Sequence, residues 1–318
     1  MAKYVKTEDG YQEIETIVSP IVETKMDANN PVGTGSFSMG RKAGSIVGTN
    51  SHAEGSSTTA SGESSHAEGS STIASGICSH AEGGSTTASR GFSHAEGMGT
   101  FAIGENSHAE GSSTIAEGDY SHAEGGNTTA SGHYSHAEGQ KTIASGNYSH
   151  AEGNNTFASG IYSHAEGSST FASSNSSHAE GGIGTRASGN YSHAEGGGTF
   201  ASGSCSHTEG LYTIAKGPNQ HVQGKYNVED SENIYAHIVG NGTGESNRSN
   251  AHTLDWNGVP WFQGRPQFGG RSMYDASQTV MANGDKEIIL ASSTADSTKK
   301  FKITVDDSGT ISATEITT

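Results

Sequence analysis

One five-residue phrase, Ser-His-Ala-Glu-Gly, limits what this chain can become. It occupies residues 51–55 and returns from Ser65, Ser79, Ser93, Ser107, Ser121, Ser135, Ser149, Ser163, Ser177 and Ser192. A further copy, Ser206-His207-Thr208-Glu209-Gly210, differs at one position. The step is 14 residues, except for one of 15 between Ser177 and Ser192. A looser phrase lies between the copies: Thr58-Thr59-Ala60-Ser61-Gly62, then Thr72-Ile73-Ala74-Ser75-Gly76, and so on. Self-similarity at a fixed period marks a repeat architecture, and this period is too short for helical repeats of more than about 30 residues. Two five-residue strands and two short turns fill it.

Side chains alternate across a strand. Ser, Ala and Gly of the first phrase therefore share one face, and His and Glu share the other. Thr, Ala and Gly of the second phrase share a face, and a variable pair points away. Two uniformly small faces meet only in a flat coil. The expected fold is all-β: a parallel β-roll or solenoid of 14-residue coils. Such an interior buries little apolar area, at about 0.8 kcal/mol per methylene. A single thin roll is marginal, and burying an outer face against other chains in a closed homo-oligomer is the usual remedy.

The outward site of the second phrase drifts through Thr59, Ile73, Thr87, Phe101, Ile115 and Arg186. The His and Glu sites do not drift. Solvent tolerates variation and a repeated interface does not, so the expected interface ladder is the His/Glu face. Its members are His52 and Glu54, His66 and Glu68, His80 and Glu82, His94 and Glu96, His108 and Glu110, and His122 and Glu124. It continues through His136 and Glu138, His150 and Glu152, His164 and Glu166, His178 and Glu180, His193 and Glu195, and His207 and Glu209. The expected partner is the chain itself, as a homotrimer around a threefold axis, with end-to-end filaments left open.

Only 30% of the 318 residues are hydrophobic and 46 are glycine, too apolar-poor for an ordinary globular domain of this size. The strict period argues for order through stacking rather than disorder. A net charge of −17 argues against nucleic acid and anionic membranes as partners. No stretch is long and apolar enough to span a bilayer, so membrane insertion is not expected. Met1-Ala2-Lys3-Tyr4-Val5-Lys6 leads into acidic residues rather than an apolar run, which reads as no secretory signal. Cys78 and Cys205 share a repeat site roughly 43 Å apart at ~4.8 Å per strand, too far for a disulfide. They are expected as small, partly buried thiols.

Three regions follow. Residues 1–35 lack the period and read as an attachment or capping segment, with a strand or short helix over 14–22 and a turn at Asn29-Asn30-Pro31. Residues 36–224 form the roll, opened by a degenerate Ser36-Phe37-Ser38-Met39-Gly40 and closed by Gln220-His221-Val222-Gln223-Gly224. Residues 225–318 form a C-terminal β-rich region. Within it, 234–239 reads as a strand, and Asn257-Gly258 as the two-residue turn of a hairpin. Residues 275–281 read as a short helix, 287–290 as a strand, and 301–316 as a hairpin around Asp307-Ser308-Gly309. Tyr120, Tyr134, Tyr148, Tyr162 and Tyr191 precede their phrases and should stack along one edge. The extra residue near Gly182-Ile183-Gly184 should bulge a turn.

The alternating Ser-x-Ala-x-Gly phrase resembles the head repeats of trimeric autotransporter adhesins, which are parallel β-rolls packed as trimers. There the two x sites are usually aliphatic; here they are His and Glu. The Ser-His-Ala-Glu-Gly variant with Gln220-His221-Val222-Gln223-Gly224-Lys225-Tyr226-Asn227 is similar to phage and prophage tail-appendage proteins. So are Tyr235-Ala236-His237-Ile238-Val239-Gly240-Asn241-Gly242 and Arg248-Ser249-Asn250-Ala251-His252-Thr253-Leu254-Asp255-Trp256. The resemblance covers roughly residues 36–270. It implies a fibre or spike in a virion or extracellular particle, attaching to a host cell-surface receptor. Trp256, Trp261 and Phe262 are then expected as cap or receptor contacts. A cell-surface adhesin or filament subunit, and a self-cleaving fibre precursor, are the alternatives.

Ser-His-x-Glu invites a hydrolase reading, but adjacent Ser and His point to opposite faces and cannot pair as in a triad. No enzyme is expected. A threefold axis would offer imidazoles and carboxylates suited to zinc or nickel. A hydrogen-bonded ladder is preferred, so no cofactor is expected. The Thr column resembles ice-binding arrays, but it shares a face with Ala and Gly, which places it inside.

Overall fold

The computed structural model describes residues 3–7, 10–14, 36–41, 45–263, 267–268, 271–272, 281–283, 287–291, 299–305 and 308–316. All regular structure among them is β. Two parallel sheets run the length of a solenoid and share the strand His52–Ala60, which bends from one into the other. The first sheet stacks the Ser-His-Ala-Glu-Gly strands, such as His108–Ser112 and His122–Gly126. The second stacks two-residue strands, from Ile73–Ala74 to Ile214–Ala215. Pairing is in register, so His108 lies beside His122 and Glu110 beside Glu124. A slip by one residue would turn every His and Glu inward, so the alternation itself enforces this register.

The interior is as thin as the sequence implies. The alanine columns that include Ala123 and Ala130 are fully buried and make one continuous core. The serine that opens each Ser-His-Ala-Glu-Gly phrase satisfies its hydroxyl locally: Ser121 Oγ donates to Gly118 O at 2.6 Å and Ser135 Oγ to Gly132 O at 2.6 Å. Thr58, Thr72 and their equivalents are fully buried, as their shared face predicts. Most of their hydroxyls have no partner, those of Thr114, Thr128 and Thr142 among them. Thr185, in the 15-residue coil, is different: its Oγ1 donates toward the carbonyls of Gly182 and Gly196, each at 2.8 Å. A buried hydroxyl without a partner costs stability, and replacing it by a methyl removes that cost. Thr128→Val should therefore raise the unfolding free energy by about 1 kcal/mol. Thr185→Val should lower it, and denaturant titration of the two variants checks the contrast.

The turns hold what alternation does not reveal. Each regular coil places two corner residues in the left-handed region, for example Asn127 (φ 57°) and Tyr134 (φ 56°). Non-glycine residues seldom adopt this conformation. At one corner the tyrosines stack: Tyr120 on Tyr134 at 4.7 Å, Tyr134 on Tyr148 at 5.1 Å, and Tyr148 on Tyr162 at 5.0 Å. Cys78 and Cys205 occupy this same corner and are exposed, not partly buried, because the left-handed corner turns their side chains outward. The extra residue of the long coil lies in the other corner, where Ile183 (φ 57°) and Gly184 (φ 79°) are both left-handed.

The parallel stack runs beyond residue 224. The strand Tyr235–Asn241 adds to His221–Lys225, with His237 beside His221 and Ile238 beside Val222. The second sheet stops at Ile214–Ala215, and larger side chains fill the space it leaves: Val222 and Ile238 are fully buried beside Ala215. An antiparallel hairpin then covers the last parallel strand, pairing Asn250–Asp255 with Tyr235–Asn241 and Pro260–Phe262 with Asn250–Asp255. Its turn holds three residues rather than two. Asp255 N donates to Val259 O at 3.1 Å, Asp255 Oδ1 accepts from the Asn257 and Val259 amides, and Gly258 takes φ 79°. At the other end Phe37 and Met39 pair with His52 and Glu54, as the degenerate first phrase predicts.

Outside the stack, Lys3–Thr7 and Gly10–Ile14 form a hairpin that the sequence reading leaves undivided. Residues 15–22 and the turn at 29–31 lie outside the described residues. The C-terminal part contains a four-stranded antiparallel sheet. It includes Glu287–Ala291 and the expected hairpin of Lys300–Val305 with Ile311–Ile316. The helix expected over 275–281 falls on residues that are not described, apart from Met281, which begins a strand.

Candidate functional site

The outer face of the first sheet is the most regular surface of the molecule. In-register pairing sets each imidazole over the next. From His66 to His221 successive ring centroids lie 4.7–4.8 Å apart, and most planes are within a few degrees of parallel. The column tilts only at its ends, by 37° between His52 and His66 and by 50° between His221 and His237.

Glutamates two residues along each strand form a second column beside the first. His122 Nε2 lies 3.6 Å from Glu124 Oε2, and His136 Nε2 lies 3.7 Å from Glu138 Oε2. Some imidazoles also face the carboxylate of the preceding coil, as His164 faces Glu152 at 3.5 Å and His193 faces Glu180 at 3.6 Å. The Nε2 atoms of His122, His136, His150 and His178 are buried without a hydrogen-bond partner. About a third of each of these side chains remains open, 36% for His136 and 33% for Glu138.

Stacking like groups every 4.8 Å has electrostatic consequences. Burial first, and then neighbouring imidazoles, holds His66, His80, His108, His136, His150 and His178 below the usual histidine range. The carboxylates cannot all ionise side by side, so they share protons. Glu152 and Glu180 are pushed up to about 7, first by hydrogen bonds with Glu166 and then with Glu138 and Glu195 respectively. Glu138, Glu166 and Glu195, which accept those bonds, are lowered.

These shifts act on stability in opposite directions. The lowered histidines contribute fully above the unfolded value near 6.5, and that contribution is lost as pH falls below it. The raised glutamates contribute at low pH, and theirs is lost as pH rises toward 7. Glu152→Gln with Glu180→Gln mimics the protonated form. The double variant should match the parent at pH 4 and exceed it at pH 8 by about 1 kcal/mol per site, the linkage value being reduced by solvent screening. Thermal melts at the two pH values check it.

Several triads could hold a metal on one chain, without a threefold axis. His122, Glu124 and His136 place ligand atoms within 4.8 Å of one another, as do Glu152, His164 and Glu166. Imidazole and carboxylate suit zinc or nickel. Ser121 and His122 are not brought together, since the serine hydroxyl is turned inward onto Gly118 O.

The three aromatic residues expected as cap or receptor contacts are about half exposed and serve different places. Phe262 lies 4.6 Å from His252, which follows His237 at the end of the histidine column. Trp261, its strand neighbour, faces the other way and lines a groove of about 420 Å³ with Tyr235, Arg248, Asn250 and Gln263. Trp256 donates its indole N–H to Asn233 O at 2.9 Å. Sequence reasoning missed this groove. Its parts come from separate segments, which Arg248 helps to tie to the stack by donating to the carbonyls of Tyr212 and Asn227.

No known family model matches the chain, and no curated protein matches it.

Proposed function

We propose that the chain is the subunit of a rigid fibre or spike, a homotrimer of a phage or phage-like particle that acts in host-surface attachment. The observation that carries this reading is the His/Glu face. Its composition is held coil after coil while the other outward columns vary, and a single chain leaves about a third of side chains such as His136 and Glu138 exposed. Sharing that face among chains supplies the buried area that an alanine interior lacks. A stack of fifteen parallel strands spans about 67 Å at ~4.8 Å per step, long and stiff enough to hold an end domain away from its anchor. In this reading the C-terminal β region, with Trp256, Trp261 and Phe262, would cap the fibre or touch a receptor. Negative-stain imaging of the source particle, with antibody against residues 225–318, tests this: label on a thin appendage supports the reading, and label absent from any appendage refutes it.

A further inference from the structure

The His/Glu face is not flat. Beside the glutamate column runs a groove whose lining alternates carboxylates with side-chain-free backbone. Over one stretch, about 590 Å³ is lined by Glu124, Glu138, Glu152 and Glu166 with glycines such as Gly139 and Gly153. A second stretch of about 430 Å³ continues it along Glu180, Glu195 and Glu209. The adjoining column of stacked imidazoles is a ridge of proton donors and acceptors. Ridge and groove have the same pitch, because both are set by the same in-register strands.

We propose that the copies of the chain associate ridge into groove: the histidine column of one enters the glutamate- and glycine-lined groove of the next. The inference rests on the fibre reading above and names the contact that reading requires. Three features commit the groove to a second copy. Hydrogen-bonding character is complementary, since carboxylates crowded against one another need donors, and the ridge offers an imidazole in every coil. Pitch is matched, since any other linear partner would need a repeat of the same spacing. Handing ridge to groove in one rotational sense makes a heterologous contact, and such contacts close into rings such as a trimer. A twofold pairing would need ridge and groove to exchange places between antiparallel rods. In a closed ring without axial shift, each coil meets the same coil of its neighbour.

The test uses the full chain carrying His136→Lys, with one half of the preparation labelled with ¹⁵N. The two halves are mixed, assembled, and coupled with a carbodiimide, which joins amine to carboxylate at contact distance. The expected product is a peptide pair of mixed label joining position 136 to Glu138. An oligomer giving only same-label pairs would overturn the ridge-into-groove contact while leaving the fibre reading intact. A folded species of single-chain mass would sink that reading itself. The unsubstituted protein supplies a second measurement independent of the lysine. The groove carboxylate of Glu138, 33% exposed on a single chain, should be coupled to glycine ethyl ester by carbodiimide at least about tenfold more slowly in the assembly than that of Glu63, which is exposed on a turn, because a packed partner excludes solvent. Equal reactivity would overturn the contact.

Discussion

Gly139→Ala should unfold the middle of the solenoid, at a cost above about 4 kcal/mol, combining a steric clash with a left-side backbone conformation. Gly139 has φ +102°, and a Cβ there would come within 3.0 Å of the Gly153 carbonyl oxygen in the next coil. The same holds along the column, from Gly55 (φ +114°) to Gly224 (φ +94°). The second glycine column separates the two causes. A Cβ on Gly132 would also crowd the next coil, against the Gly146 carbonyl, but its φ is not positive. That column already contains Arg90 and Ser174. Ser174 adapts by donating its amide to Ser177 Oγ at 3.2 Å. Gly132→Ser should therefore cost no more than about 2 kcal/mol. Circular dichroism melts of the two variants make the comparison, and equal losses would show that crowding rather than backbone conformation decides.

Ala137→Leu should be nearly as damaging, at more than about 3 kcal/mol, because overpacking forces strain into a core that cannot yield. Ala137 is fully buried between two sheets tied together at both turns of every coil. Past Thr208 the same column accepts larger side chains, Val222 and Ile238. There the opposing sheet has stopped at Ala215, so the walls stand open. Val222→Leu should accordingly cost less than about 1.5 kcal/mol. Denaturant titration decides: comparable losses at positions 137 and 222 would mean that the interior is equally adaptable along its length.

Much of this fold was legible because the period repeats one local decision many times. Alternation placed Ser, Ala and Thr inside and His and Glu outside, and in-register stacking follows once one face must be buried. The corners were not legible. Left-handed φ at Tyr134 or Ile183 leaves no residue signature, since neither is a residue that favours it. For the same reason Cys78 was expected partly buried and is exposed. The strand at 235–241 was legible but its parallel pairing was not, because the step from His221 to His237 departs from the period. At the candidate site, the two columns could be read from spacing. The groove beside them depends on glycine geometry, and proton sharing between Glu152 and Glu166 depends on side-chain contact, neither of which a periodic sequence states.

The mass of the full chain in dilute neutral solution, by light scattering on a sizing column, bears most directly on whether the His/Glu face is shared. The chain weighs 32.6 kDa. A folded particle of three times that mass, persisting on dilution, is the predicted result. A well-folded particle of 32.6 kDa would show that one thin coil of small residues stands alone, and would contradict the account.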